Sequence, residues 1–311
     1  MKKKSEDIKF TVVLVTYNRI IELKKTLELY DQLNFLPCNL IVVNNSSTDG
    51  TEKYLNDWKN QSSKYNRFVI TTNYNLGGAG GFSVGIKKAV ETECDFIFLA
   101  DDDAYPDQNV LFRMANFYCN QNKKNDIAGM CTKNINYGKI DCMHRRRVKK
   151  GILCFSEKNV DISEYNYESF DVDEFSFVGA AIKKNIVLQI GLPRSDYFIY
   201  FDDSEYSLRI RENGRIVCVT DAVMNHNTVA TEKKWGYYYA VRNRLDMVKR
   251  HGSGWNYLYY KILSYLKYCS WMSYLFKWKS KPFINMCKRA MKDSKTGVFG
   301  YCESYPPGKD I

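Results

Sequence analysis

The first hundred residues alternate short β-branched runs with amphipathic stretches. FTVVLV (Phe10–Val15), NLIVV (Asn39–Val43), RFVIT (Arg67–Thr71) and DFIFLA (Asp95–Ala100) are continuous apolar segments of strand length, the pattern of strands covered on both faces. Between them, 20–33 places Ile20, Leu23, Leu27 and Tyr30 on one helical stripe, and 51–58 and 85–92 also read as helices. NNSSTDGT, before the second helix, is a polar turn rich in capping residues. This order predicts an α/β protein with a doubly wound, mostly parallel sheet, whose ligands bind beyond the carboxyl ends of the strands. The segment 132–171 is polar, contains HRRRVKK, shows no clear period and is expected to be an irregular or mobile connection. Order returns with FSFVGAAI (175–182), a helical KKNIVLQIG, then DYFIYFDDSEYSLRIRENG and a strand RIVCV. Gly191 and Gly214 each follow an apolar-periodic run, as helix C-caps would.

Composition narrows the class. A hydrophobic fraction of 45% with 26% charged residues in 311 residues excludes global disorder and allows a sizeable core. The net charge of +11 is concentrated: residues 231–311 hold 16 Lys/Arg against 5 Asp/Glu, and the preceding 30 of each cancel. None of the ten cysteines forms a CxxC pair, which argues against a zinc ribbon or a thioredoxin-like site and for thiols in a reducing cytoplasm. MKKKSEDIKF lacks the apolar core of a secretory leader. The longest late apolar run, 268–276, is less than half the roughly 20 residues of a bilayer span, so no crossing is expected.

Four stretches carry candidate chemistry. FIFLADDDAYPD ends a buried strand in three aspartates, whose mutual repulsion asks for a cation. In an extended chain Asp101 and Asp103 share a side, which suits a hard divalent ion; a solvated turn capping the next helix is the alternative. NYNLGGAGGFSVG (73–85) has four glycines within five residues, so backbone approaches something closely, and helix-opening amides there favour an anion. It matches neither GxGxxG nor GxxxxGK. YFDDSEYSLR (200–209) is a second acidic cluster at a predicted helix start, where capping and catalysis both use carboxylates. His226, in DAVMNHNT, is one of three histidines.

Taken in order, VVLVTYNR, LIVVNNSSTDGT, NYNLGGAGGFSVG, FLADDDAYPD, FVGAAI, YFIYFDDSEYSLRIRENG, AVMNH and YYYAVRNRL resemble the inverting family-2 glycosyltransferases of the GT-A fold, a Rossmann-like architecture. The subgroup they look like is the bacterial galactofuranosyltransferases and rhamnosyltransferases of surface-polysaccharide assembly. The resemblance spans about residues 10–245. It implies that Thr16, Tyr17, Arg19, Asn45, Asn75, Gly78, Gly80, Asp101 and Asp102 border the nucleotide-sugar. It further implies that Asp101, Asp103 and His226 hold Mn²⁺ or Mg²⁺, that Asp203 is the catalytic base, and that Asp202 and Glu205 position the acceptor. Relatives commonly carry an acidic residue where this chain has Asn44, which bears on base or ribose recognition. A catalytic domain over 1–230 is expected, its nucleotide-sugar half about 8–131 and its acceptor half about 172–230, followed by a helical region over 231–311.

That last region interleaves aromatics with lysines (WNYLYYKILSYLKYCSWMSYLFKWKSK), a mixture suited to an anionic membrane surface. Packing on the catalytic domain or a homo-oligomer contact would use the same residues. The resemblance implies a glycan or lipid-linked glycan acceptor and a peripheral place on the inner face of the plasma membrane. Nucleic acid is not expected as a partner, because it leaves two acidic clusters unexplained. A nucleotidyltransferase would normally place its glycines near the first strand, and a non-catalytic carbohydrate-binding protein would not hydrolyse the donor. The leaning among donors is UDP-galactofuranose, with dTDP-L-rhamnose as the alternative.

Overall fold

The computed structural model describes residues 4–152, 154–228, 233–270 and 280–309. Its strands are β1 (Phe10–Thr16), β2 (Asn39–Asn44), β3 (Asn66–Thr71), β4 (Phe96–Asp101), β5 (Tyr105–Pro106), β6 (Ile127–Asn136), β7 (Lys139–Ile140), β8 (Arg145–Lys150), β9 (Phe155–Asn159), β10 (Ser169–Val172), β11 (Glu174–Phe175), β12 (Ala180–Lys183) and β13 (Arg215–Asn225). The α-helices are α1 (Ile20–Asp31), α2 (Thr51–Asn60), α3 (Gly77–Ala89), α4 (Val110–Asn120), α5 (Lys184–Ile190), α6 (Asp202–Arg211), α7 (Gly236–His251), α8 (Gly254–Tyr268) and α9 (Lys281–Thr296).

The main sheet runs β10-β13-β6-β12-β4-β1-β2-β3, with β5 and β7 added at the side. Its β4-β1-β2-β3 half is parallel, as expected from the alternation. The other half is mixed: β12 runs antiparallel to both β4 and β6, and β10 antiparallel to β13. Strand residues divide between two layers by parity, as pleating requires. Val12 and Leu14 join Leu23 and Leu27 of α1 and Leu55 of α2 on one face. Val13 and Val15 meet Phe82 and Ile86 of α3 and Tyr206 of α6 on the other. Both faces are therefore covered, which is why these strands read as unbroken apolar runs.

Three local expectations are corrected. The glycine-rich stretch is the first two turns of α3, which begins at Gly77 rather than Gly85. A Cβ on Gly81 would stand 2.5 Å from Val15 Cγ1 and one on Gly85 2.3 Å from Val13 Cγ1, so glycine lets α3 lie directly on β1. The segment 132–171 is ordered rather than irregular: it completes β6 and supplies β8 and β9, which pair with β11 in a second, three-stranded antiparallel sheet. Gly191 caps α5 with a φ of +78°, but α6 ends at Arg211 with Glu212 as its C-cap, so Gly214 (φ +153°) belongs to the turn into β13.

Helices α7 and α9 do not stand apart. Tyr238, Tyr239, Leu245 and Met286 share one buried cluster with Phe155, Phe198 and Leu208 from the preceding part of the chain. The boundary expected at 230/231 and the apolar run expected over 268–276 fall wholly or mostly outside the described residues. Among those described, no helix is long and apolar enough to cross a membrane.

Candidate active site

Strands β1, β2 and β4 end side by side, and their carboxyl ends open a cleft of about 640 Å³. Thr16, Tyr17, Arg19, Asn45, Asn75 and Gly78 line it, as do the three aspartates and His226. β13 carries His226 to the same place, because it pairs with β5 just beyond the aspartates. One donor atom each from Asp101, Asp103 and His226 lies within 4.8 Å of the others. This oxygen, oxygen, nitrogen set fits Mn²⁺ or Mg²⁺.

The charge question raised by the triple aspartate has a first answer within the chain. Arg19 Nη1 forms an ion pair with Asp103 and sits 3.3 Å from Asp102 Oδ1. His226 Nε2 is 3.2 Å from Asp103 Oδ1. Burial tends to raise Asp103, but His226 and Arg19 outweigh it and hold the carboxyl below the usual range. Burial, then the charge of Asp103, pushes Asp101 up to about 6. Asp102, 3% exposed, is pushed up to about 7 by burial against the Thr16 hydroxyl and Arg19. Burial lowers His226, yet its bond to Asp103 and the charges of both aspartates leave it raised.

Asn45 contributes by holding the wall. Its amide donates to Asn75 Oδ1 and to the Gly77 carbonyl, each at 3.0 Å, and its oxygen accepts from Leu76 N at 2.9 Å. Asn75 in turn accepts from Gly77 N at 2.8 Å. Gly80 does not reach this cleft; a Cβ there would strike Leu76 at 2.5 Å. Asn44 is buried and its oxygen accepts from Ser47 N, so it shapes the turn after β2.

A second cleft, about 430 Å³, joins the first along Gly78, Asp101, Ile199 and Tyr200. Asp202 and Asp203 line it at the start of α6, with Arg146 of β8 opposite the acidic pair in the lining. Asp203 Oδ1 accepts from Ser204 N at 2.7 Å. Burial raises its pKa, and the guanidinium of Arg146 opposes the rise. Burial and then Asp203 raise Asp202 well above the carboxylate range. Glu205 lies elsewhere. It lines neither cleft and pairs with Arg209 at 2.9 Å and His251 at 3.3 Å, which overcome burial and leave it low. It ties α6 to the end of α7.

With this geometry in view, the family model for glycosyl transferase family 2 matches residues 11–190. The chain belongs to glycosyltransferase family 2. Galactofuranosyltransferase GlfT1 of Mycobacterium tuberculosis (strain ATCC 25618 / H37Rv) is 29% identical over 206 residues, covering 65% of this chain and 64% of that protein. GlfT2 of the same strain is 25% identical over 211 residues, covering 60% of this chain and 32% of its own length. The match thus spans less than two thirds of either relative. Among solved structures, S. aureus TarS 1–349 in complex with UDP-GlcNAc aligns with a TM-score of 0.58 at 17% identity, covering 94% of this chain and 82% of that one. GalNAc-T7 with UDP, GalNAc and Mn²⁺ aligns at 0.63 and 13% identity, covering 94% and 56%. The fold of this glycosyltransferase-family chain is GT-A.

Six residues of this GT-A centre were given no role by the sequence reading. Phe198, Tyr200 and Phe201, on the wall between the clefts, all have φ near +65° to +68°, a strained conformation for aromatic residues. Asn243 of α7 holds them: its amide donates to the carbonyls of Tyr197, Ile199 and Tyr200 at 2.9–3.0 Å. Arg146 lies in the run taken as irregular. His144 packs edge-on to His226 at 5.5 Å and bonds Ser176 Oγ at 2.7 Å, bracing that ring. Nothing local in the run YYYAVRNRL announced the partners of Asn243.

Proposed function

We propose that this family-2 chain transfers a sugar from a nucleotide-diphosphate donor to a hydroxyl of a glycan, with inversion, and that the donor is UDP-galactofuranose. The supporting observation is the junction of the two clefts. The aspartate cluster faces one, the half-buried carboxylate of Asp203 faces the other, and Gly78 and Asp101 border both. The likeness to GlfT1 and GlfT2 supports galactofuranose.

The donor lies in the larger cleft, bordered by Thr16, Tyr17 and Gly78, and the acceptor in the smaller. Asp203 takes the proton of the acceptor hydroxyl as that oxygen bonds the anomeric carbon and the bond to the diphosphate breaks. Burial makes Asp203 a stronger base than an exposed aspartate, while the guanidinium of Arg146 favours its ionised form and limits the rise. Asp202, beside it and raised by burial and by the charge of Asp203, positions the acceptor. Asp101, Asp103 and His226 would hold Mn²⁺ or Mg²⁺, which when bound supplies positive charge to the departing diphosphate. Arg19 meanwhile relieves the repulsion among the aspartates. The 197–201 wall keeps the two substrates in register, and their alignment supplies part of the rate.

The test is a panel of nucleotide-sugars assayed for donor hydrolysis and transfer with and without Mn²⁺. UDP-galactofuranose should be used in preference, EDTA should abolish turnover, and Asp103→Ala should lose metal-dependent donor binding. Full activity in excess EDTA would remove the metal from the proposal, and preference for dTDP-L-rhamnose would replace the donor.

A further inference from the structure

Helix α8 exposes an apolar face that nothing in the described fold covers. Trp255, Leu258, Tyr259, Ile262, Tyr265 and Leu266 are each between 39% and 64% exposed. At 3.6 residues per turn they fall within an arc of about 120°. The opposite side holds the buried Asn256 and Tyr260 and packs on α7 and β9. The face is built, since Ser253 and Asn256 close a capping box at its start.

Charge selects the occupant. Lys261 and Lys267 flank the arc on its two sides, and α8 contains no Asp or Glu. α9, which packs against α8, adds exposed Lys288, Lys292 and Lys295 at i, i+4 and i+7, and its one acid, Asp293, is buried against Arg289 and Tyr238. A second copy laid on this face would set lysines against lysines with no carboxylate of α8 to answer them. An apolar arc with lysines at its margins fits a bilayer interface, where the stems lie along the acyl boundary and the ammonium groups reach phosphate headgroups.

We propose that α8 docks this chain on an anionic lipid surface, lying in the headgroup plane. An apolar crevice of about 130 Å³ between α7 and α8, lined by Val241, Leu245, Leu263 and Phe201, continues the same surface inward. Phe201 also lines the smaller cleft beside Asp203. Docking therefore sets the smaller cleft, the acceptor side in the transfer reading above, next to the lipid.

The test uses the full chain and vesicles of phosphatidylcholine with or without phosphatidylglycerol. The wild type should pellet with phosphatidylglycerol vesicles and be released by high salt. Leu258→Gln/Ile262→Gln/Leu266→Gln should bind about tenfold more weakly or worse, since each change removes interfacial apolar area. Donor hydrolysis without vesicles should be unchanged in that variant, which also reports that it is folded. Equal pelleting of variant and wild type, or no preference for phosphatidylglycerol, overturns the proposal. So does a wild-type dimer that the triple variant converts to monomer, because the face then belongs to a second copy. Vesicle binding in a chain that hydrolyses no donor would leave the docking intact and remove the transfer reading alone.

Discussion

One substitution made twice in the same helix tests why α3 is built from glycines. Gly85→Ala and Gly78→Ala both add one methyl to α3, and in an exposed helix each would gain about 1 kcal/mol of helix propensity. At Gly85 the methyl would lie 2.3 Å from Val13 Cγ1 and 3.1 Å from Val43 Cγ2, against the 3.5–4.0 Å of a comfortable carbon contact. Val13 and Val43 are fully buried in adjoining strands and cannot turn away. The helix must shift off the sheet, an overpacking cost of about 2–3 kcal/mol. The net loss is about 1–2 kcal/mol, or several degrees in Tm for a chain of this size. At Gly78 the methyl meets nothing within 4 Å. Stability should hold or rise there, while transfer falls because the methyl enters the junction of the two clefts. Thermal and urea unfolding of both variants, with donor hydrolysis and transfer alongside, separates the effects. A Gly85→Ala protein as stable as the wild type would refute the close-packing argument, and a fully active Gly78→Ala protein would refute the placement of substrates at that junction.

Asp203→Asn should lower kcat by about 10²–10⁴-fold while donor binding, followed by calorimetry, stays near wild type; retained turnover with lost affinity would contradict the base assignment. Glu174, 1% exposed, is pushed up to about 8 by burial, then by Glu157, with Arg146 3.8 Å away opposing. A raised folded pKa means the native state keeps a proton that the unfolded chain releases above about pH 4.5. The stability this contributes below that pH is lost as pH climbs toward 8, on the order of 5 kcal/mol in all. Glu174→Gln should therefore match the wild type near pH 4.5 and grow progressively more stable than it by pH 8; a pH-independent difference in urea midpoints would sink this reading. Asn243→Ala leaves three carbonyls of a strained loop without their donor and should cost about 1–3 kcal/mol. Its transfer should fall more than its stability alone explains, and unchanged transfer kinetics would show the loop to be self-supporting.

Much of this protein was legible because burial on two faces leaves a plain mark. β1 through β4 are continuous apolar runs, and the aspartates, placed where β4 ends, announced a charged site. The roles expected of Asp203 and His226 came only with the family resemblance, since capping or plain packing suited the residues around them equally well. What was missed had local signals opposed to its structure. Five glycines between 77 and 85 argue against helix, yet contact with Val13 and Val15 overrides propensity. β8 hides its alternation because Arg145, 0% exposed, points into the core, where Thr132, Asn134 and Val178 accept its hydrogen bonds. A fully buried arginine looks like surface in a sequence. Glu205 shows the converse: it sits in the acidic motif, but its partners are Arg209 four residues on and His251 from a distant helix.

The single amide of Asn243 has a practical meaning for anyone dissecting the molecule. It reaches from the C-terminal helices into the wall between the two clefts, and so binds the two parts as a keystone binds an arch. A fragment ending near residue 230 would retain every acidic group of the site and still lack the brace that holds three aromatic residues in place. Such a fragment should bind nucleotide better than it transfers sugar.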